Sequence, residues 1–156
     1  MKLCLLAAGT RMPDWVEAGY AAYADRMPRE CGLTLKEIPL GNRKGGRKDG
    51  RAVIEEGERM LKSIRPDDEV VALDVVGKSL TTAQLASRFA DWRQEGRDIV
   101  LTIGGPDGLS PAVLERARWR WSLSPLTLPH GLVRIVAAEQ LYRAWTVISG
   151  HLYHRA

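Results

Sequence analysis

The chain has 156 residues and a mass of 17.3 kDa, close to the usual size of one domain, and 45% of its residues are hydrophobic and 27% are charged. These values exclude intrinsic disorder, a collagen-like structure and a coiled coil. The formal net charge of +4 and the pI of about 9.3 are mildly basic, so they permit a nucleic-acid partner without requiring one.

The cysteine pattern and the apolar runs indicate the compartment. Cys4 and Cys31 lie far apart and fit neither a disulfide framework nor a zinc-ligand spacing, so we expect a reducing cytoplasm and no metal. The opening apolar run is too short for a signal peptide, and no later run approaches the roughly 20 residues that cross a bilayer. We therefore expect a soluble protein with a single domain over residues 1–156 and no membrane partner.

Strand and helix patterns alternate along the chain. Short apolar runs predict strands at residues 3–8, 33–38, 70–76, 99–103 and 121–128. Helical periodicity predicts helices at residues 13–27, 51–64, 82–95, 110–118 and 132–149. Thr81 with Gln84 forms a predicted capping box, and Ser110 is a predicted N-cap before Pro111. The alternation predicts an α/β fold with a parallel sheet and helices on both faces.

Three segments follow predicted strands at the edge where such a sheet usually binds its ligand: residues 73–78, 104–108 and 123–129. Gly104 and Gly105 either let a ligand approach the backbone or make a plain tight turn, and their spacing matches neither standard phosphate-binding motif. The run LSPLTLP at residues 123–129 either lines an apolar slot for a purine ring or forms an irregular strand edge.

Charged residues that could serve a function are concentrated in two other parts of the sequence. The glycine-rich segment 41–50 is predicted to be a mobile surface loop, and its basic side chains either neutralise phosphates or are simply solvated. These side chains are Arg43, Lys44, Arg47, Lys48 and Arg51. Near the end of the chain, Glu139 and Arg143 share a helix face and form either a surface ion pair or part of a site.

Four motifs in order give the chain a family resemblance: LDVVGK at 73–78, TIGGPDGLS at 102–110, LSPLTLPH at 123–130, and AAEQLYRAW at 137–145 with the terminal YHR. The sequence resembles the RlmH family, whose members are methyltransferases of ribosomal RNA that depend on S-adenosyl-L-methionine (SAM) and belong to the SPOUT superfamily. The resemblance runs from the opening residues to the last ones, and no motif residue is missing.

The resemblance implies an α/β fold with a C-terminal trefoil knot, a homodimer, and a SAM site beside the subunit interface. Periodicity does not indicate a knot, because threaded connections are almost absent from proteins. Carried over residue by residue, the family's cofactor site implies contacts from Leu73, Gly104, Leu123, Ser124, Pro125, Leu126, Thr127 and Leu128.

The resemblance also implies the reaction, which is methylation of N3 of a pseudouridine in a stem-loop of 23S ribosomal RNA within the assembled ribosome. The N3 imide proton must leave, so a base or a cation that stabilises the developing anion is needed, and no metal is. The candidate catalytic residues are His130, Glu139, Arg143, Tyr153, His154 and Arg155. The alternatives are a non-catalytic ribosome-binding module and a nucleotide hydrolase, and the hydrolase lacks its motifs.

Overall fold

The computed structural model describes residues 1–44 and 50–155, without the side chains of His154 and Arg155. Arg47, Lys48 and the rest of the predicted mobile segment between 45 and 49 lie outside the described residues. The strands are β1 (Leu3–Ala8), β2 (Leu33–Ile38), β3 (Glu69–Ser79), β4 (Ile99–Ile103) and β5 (Trp119–Ser122). The α-helices are α1 (Asp14–Ala24), α2 (Arg51–Lys62), α3 (Thr82–Glu95), α4 (Pro111–Arg116) and α5 (His130–Ser149), and short 3-10 turns cover Arg29–Cys31 and Leu152–Arg155.

The strands form one parallel sheet in the order β2-β1-β4-β3-β5. Parallel neighbours need long crossover connections, which the helices supply. Alternate residues of β1 show the two covered faces: Leu5 packs in a cluster with residues of α1, α3 and α5, while Leu6 packs with Met60 of α2 and Val113 of α4. The predicted α/β fold with helices on both faces is confirmed, and the trefoil knot stays a prediction. No helix in the described part of the chain is long and apolar enough to cross a membrane.

At the carboxyl edge of the sheet, the bounds of two strands differ from the predicted bounds. The last strand ends at Ser122, so the strand predicted over 121–128 is wrong beyond that residue. Pro125 and Pro129 lack the N–H that a strand ladder needs, and the chain leaves the sheet. The strand predicted at 70–76 is longer in the structure: β3 runs on to Ser79, takes in the whole segment 73–78, and pairs with β5 on both sides of a bulge between Leu73 and Lys78.

A buried arginine joins α5 to the carboxyl ends of β1 and β2. The side chain of Arg134 is 1% exposed and lies 2.6 Å from Glu37 Oε2 through its NH1. Its NH2 donates to the carbonyl oxygen of Gly9 at 2.8 Å, where the backbone has a φ of +114° that favours glycine. Because a buried guanidinium must be paired, this contact fixes the start of α5 against the sheet.

Glu37→Ala should lower the free energy of unfolding by about 3 kcal/mol, because it leaves the buried charge of Arg134 without its carboxylate. Urea denaturation measures the loss, with Lys36→Ala on the same strand as the control, since Lys36 is exposed. Equal stability of the two variants would mean that the ion pair does not anchor α5.

Candidate functional site

A cleft of about 650 Å³ opens at the carboxyl edge of the sheet, beside β3, β4 and β5. Its size is within the range of sites that enclose a small molecule. The walls come from the three segments that the sequence singled out and from the first turn of α5. The side chains and backbone that line it belong to Leu73, Asp74, Val75, Ile103, Gly104, Gly105, Pro106, Asp107, Gly108, Leu109, Leu114, Trp121, Leu123, Ser124, Leu126, Thr127, Leu128, Pro129, His130 and Val133.

The wall after β4 is a tight turn. The N–H of Gly108 donates to the carbonyl oxygen of Gly105 at 3.1 Å, and Gly108 has a φ of +82°. A Cβ placed on Gly104 would lie 2.5 Å from the backbone carbon of Gly108. Gly104 therefore lines the cleft and is also required by the turn itself, so the tight turn is confirmed, while the approach of a ligand to this backbone stays a prediction. A larger residue at Gly104 would disturb the turn before it met a ligand.

The wall after β5 is an irregular segment held by serine hydroxyls. The Ser122 hydroxyl donates to the carbonyl oxygen of Ser124 at 3.0 Å, and the Ser124 hydroxyl accepts from the N–H of Leu126 at 3.0 Å. These side-chain hydrogen bonds pair backbone groups that no longer belong to the sheet, and they hold the segment in the irregular conformation that lines the cleft. Pro125 is the one proposed cofactor residue that does not line the cleft, and it sits between two that do.

The wall from β3 is shaped by its bulge. A Cβ on Gly77 would lie 2.7 Å from the backbone of Arg120, so only glycine lets β3 return to β5 after the bulge. Asp74 stands at the cleft, with its carboxylate 3.7 Å from the Arg120 guanidinium. The cleft thus combines a leucine-rich slot with the carboxylates of Asp74 and Asp107.

A second cluster forms where the end of the chain folds back on α5. The Tyr153 hydroxyl donates to Glu139 Oε1 at 2.9 Å, and the Arg143 guanidinium donates to the same oxygen from Nε at 2.9 Å and NH2 at 2.7 Å. Gln140 donates to the other carboxylate oxygen at 2.6 Å. The Tyr153 ring lies 4.8 Å from the Tyr142 ring, between centroids. We call Glu139, Arg143 and Tyr153 the tail cluster.

The contacts within the tail cluster raise the pKa of two of its members, Tyr153 and Arg143. Burial and the hydrogen bond to Glu139 raise the pKa of Tyr153 to about 12. The hydrogen bonds to Glu139 likewise raise the pKa of Arg143 above its ordinary value. Tyr153 is therefore a neutral hydrogen-bond donor at physiological pH and does not act as a base in this arrangement, and Arg143 keeps its positive charge.

His130 lies far along α5 from Glu139 and Arg143, the two residues of the tail cluster that this helix carries. His130 lines the cleft at the first residue of α5. With a helical rise of 1.5 Å per residue, Glu139 and Arg143 lie about 13 and 20 Å further along the axis. Among the predicted catalytic residues whose side chains the structure describes, His130 borders the cleft, and Glu139, Arg143 and Tyr153 form the tail cluster. The side chains of His154 and Arg155 lie outside the described part.

Comparison with known proteins decides the family. The family model described as "Predicted SPOUT methyltransferase" matches residues 1–154. A protein of Hahella chejuensis named ribosomal RNA large subunit methyltransferase H is 53% identical over 155 residues, which cover 99% of this chain and 99% of that protein. Proteins of the same name from Pseudomonas putida and Azotobacter vinelandii are 52% identical and are covered over their full length.

The chain belongs to the SPOUT methyltransferase family. SPOUT methyltransferases depend on SAM, so membership favours an enzyme over a non-catalytic ribosome-binding module. The cleft fits that cofactor in the chemistry of its lining. Leucines offer an apolar slot to the adenine ring, while Asp74 offers a carboxylate to amine and hydroxyl groups.

Sequence reasoning missed several lining residues of this SPOUT methyltransferase. Leu109, Leu114 and Val133 border the cleft although none belongs to a predicted contact set. Val133 lies one helical turn after His130, and this spacing is the signal that would have found it. Leu109 and Leu114 carry no such signal, because the turn after β4 brings them to the cleft.

Proposed function

We propose that this protein transfers a methyl group from SAM to N3 of a pseudouridine in a stem-loop of 23S ribosomal RNA. It acts on the assembled ribosome in the cytoplasm, as a homodimer of single domains that each span residues 1–156. The observation that carries the proposal is the cleft at the carboxyl edge of the sheet, walled by the same three segments that hold the family motifs. The names and identities of the relatives support the ribosomal substrate.

The proposed cofactor site comprises the residues predicted from the motifs. Leu73, Gly104 and the run from Leu123 to Leu128 surround the cleft, apart from Pro125, which shapes the run. SAM supplies an activated methyl group when bound. The apolar walls exclude water, and the three segments would orient SAM. Excluding water and aligning the reacting groups are the main tasks of the protein in a methyl transfer from SAM.

The proposed catalytic residues handle the imide proton of the pseudouridine and the charge that it leaves behind. Arg143, kept cationic by Glu139, and Arg155 bind RNA phosphate or the deprotonated imide. His154 accepts the proton. Tyr153 donates a hydrogen bond, which its raised pKa of about 12 supports, and His130 lines the cleft at the first residue of α5.

The separation along α5 supports a site made by two subunits. The tail cluster lies about 13 Å or more along the helix from His130 and the cleft. In a two-fold dimer the same surface of each chain forms the interface, and every contact between the two chains occurs twice. If this surface includes both the cleft and the tail, the tail of each subunit can reach the cleft of the other. We propose that the cleft of one subunit works with Arg143, Tyr153, His154 and Arg155 of its partner.

A mixed dimer tests this arrangement. One subunit carries Leu128→Trp, which fills its cleft, and the other ends at Leu152 and lacks its tail. The purified heterodimer should methylate ribosomes at about half of the wild-type rate, because one complete site remains. At SAM concentrations that do not saturate the Leu128→Trp cleft, each homodimeric variant should methylate far more slowly than the heterodimer. A heterodimer as slow as both homodimers would place cleft and tail of the same chain in one site.

The reaction itself is tested by single-turnover transfer of a tritiated methyl group to three substrates: assembled ribosomes, naked 23S RNA and the isolated stem-loop. A chain this small presents little surface for recognition, so ribosomal neighbours must add contacts, and transfer to ribosomes should be much faster. Mass spectrometry of the digested RNA identifies the modified base. Equal incorporation into all three substrates would contradict recognition of the assembled ribosome, and absence of 3-methylpseudouridine would contradict the reaction.

A further inference from the structure

One arginine outside the cleft connects its wall to the opposite helix layer. The Arg43 guanidinium lies between two carboxylates, with NH1 2.7 Å from Glu56 Oε2 on α2 and Nε 3.0 Å from Asp107 Oδ2 in the turn after β4. Asp107 lines the cleft, whereas Arg43 is not among the residues that line it. We call Arg43, Glu56 and Asp107 the arginine bridge.

The Glu56 end of the arginine bridge is buried and fixed. The Glu56 side chain is 3% exposed, and its Oε2 also accepts the N–H of Gly41 at 2.8 Å. Its Oε1 is buried and has no hydrogen-bond partner among the described residues. A buried carboxylate in this state depends on its cation, so Arg43 is held in place from this side.

The Asp107 end is at the surface and belongs to the tight turn. The Asp107 side chain is 63% exposed. The base of the turn packs closely on the protein, since a Cβ on Gly105 would lie 2.8 Å from Leu40 and 3.3 Å from Glu56 Oε1. The tip of the turn, in contrast, projects into solvent, and its contact with Arg43 ties it to the buried end.

We propose that Arg43 is a positioning residue of the cofactor site. It holds Asp107, and with it the turn from Gly105 to Gly108, in the conformation that forms the cleft wall. The inference rests on the proposed function, because it assigns the cleft to SAM. Arg43 acts through Asp107 and not by contact with the cofactor.

A double-mutant cycle on the full chain tests the proposal by calorimetric titration with SAM. Asp107→Ala should raise the Kd for SAM about two- to fivefold, the scale of one partly exposed ion pair. The variant Arg43→Ala with Asp107→Ala should bind no more weakly than Arg43→Ala alone, because both substitutions cut the same link. Fold-changes that multiply would mean that Asp107 contacts the cofactor independently, which would overturn the positioning role.

Further variants separate positioning from loss of stability. Arg43→Ala leaves Glu56 buried without its cation and should lower the melting temperature, so the Asp107 variants decide the question. Asp107→Asn keeps an acceptor for Arg43 and should retain most of the affinity. Glu58→Ala, an exposed acid on α2, is the matched control and should bind SAM as the wild type does.

Steady-state kinetics supply the second measurement. Loss of positioning should raise the KM for SAM in Asp107→Ala with little change in kcat at saturating SAM. Unchanged affinity in Asp107→Ala, beside a wild type that binds SAM, would overturn this inference alone. A wild type that does not bind SAM would instead overturn the proposed function.

Discussion

Leu128→Trp should weaken SAM binding by about 10- to 100-fold while the protein stays folded. Leu128 is half-buried and lines the cleft, so the larger ring occupies space that the cofactor needs. Forcing an extra ring into occupied space typically costs about 1–3 kcal/mol, which corresponds to the expected range of affinity. Calorimetric titration with SAM measures the change.

Ile54→Trp is the matched control for this variant. Ile54 is 53% exposed on α2 and does not line the cleft, so the same increase in size should leave the affinity for SAM unchanged. Both variants should melt close to the wild-type temperature. Wild-type affinity in a folded Leu128→Trp protein would show that SAM does not bind between the three segments.

Removal of residues 154–156 should lower the methylation rate by about 10- to 1000-fold and leave both the melting temperature and SAM affinity near normal. The physical reason is that the lost residues include the proposed proton acceptor His154 and the proposed anion-binding Arg155, and a positioned catalytic group contributes on this scale. The chain that ends at Tyr153 keeps the ring that packs on Tyr142 and the hydroxyl that bonds to Glu139. Single-turnover methylation of ribosomes, thermal melting and calorimetry give the three quantities.

A chain that ends at Leu152 provides the comparison. It also loses the Tyr153 ring and hydrogen bond, so its free energy of unfolding should fall by about 1–2 kcal/mol relative to the chain that ends at Tyr153. Activity should be low in both truncated chains. If the chain that ends at Tyr153 methylates at the wild-type rate, the roles proposed for His154 and Arg155 are wrong.

The strands of this protein follow from its sequence wherever both faces are buried. The runs at 3–8 and 99–103 form strands with the predicted bounds, because continuous apolar residues suit the interior of a parallel sheet. The edge strand β2 also keeps its predicted bounds, 33–38, although Thr34, Lys36 and Glu37 are exposed. The cap of α3 by Thr81 and Gln84 also follows from local chemistry and is confirmed. The end of β5 did not follow, because apolar residues continue past Ser122 but line the cleft instead of extending the strand.

The location of the cleft could be predicted from the sequence, but the long-range side-chain contacts near it and at the chain end could not. Ligands bind at the carboxyl ends of parallel strands, so the sequence pointed to the correct three segments. The arginine bridge joins Arg43 to Asp107 across 64 residues and to Glu56 across 13, and no local pattern pairs them. The contact of Tyr153 with Glu139 likewise depends on how the chain folds back after Gly150.

Helix α5 sets the distance between the cleft and the end of the chain. Its 20 residues run from the cleft at His130 to the chain end beyond Ser149, a span of about 30 Å. One inserted residue would turn everything beyond it by about 100° and move it by about 1.5 Å, which in the proposed dimer would carry the chain end away from the partner's cleft. The proposed two-subunit site therefore constrains the length of α5 more strongly than it constrains the side chains on the exposed side of this helix.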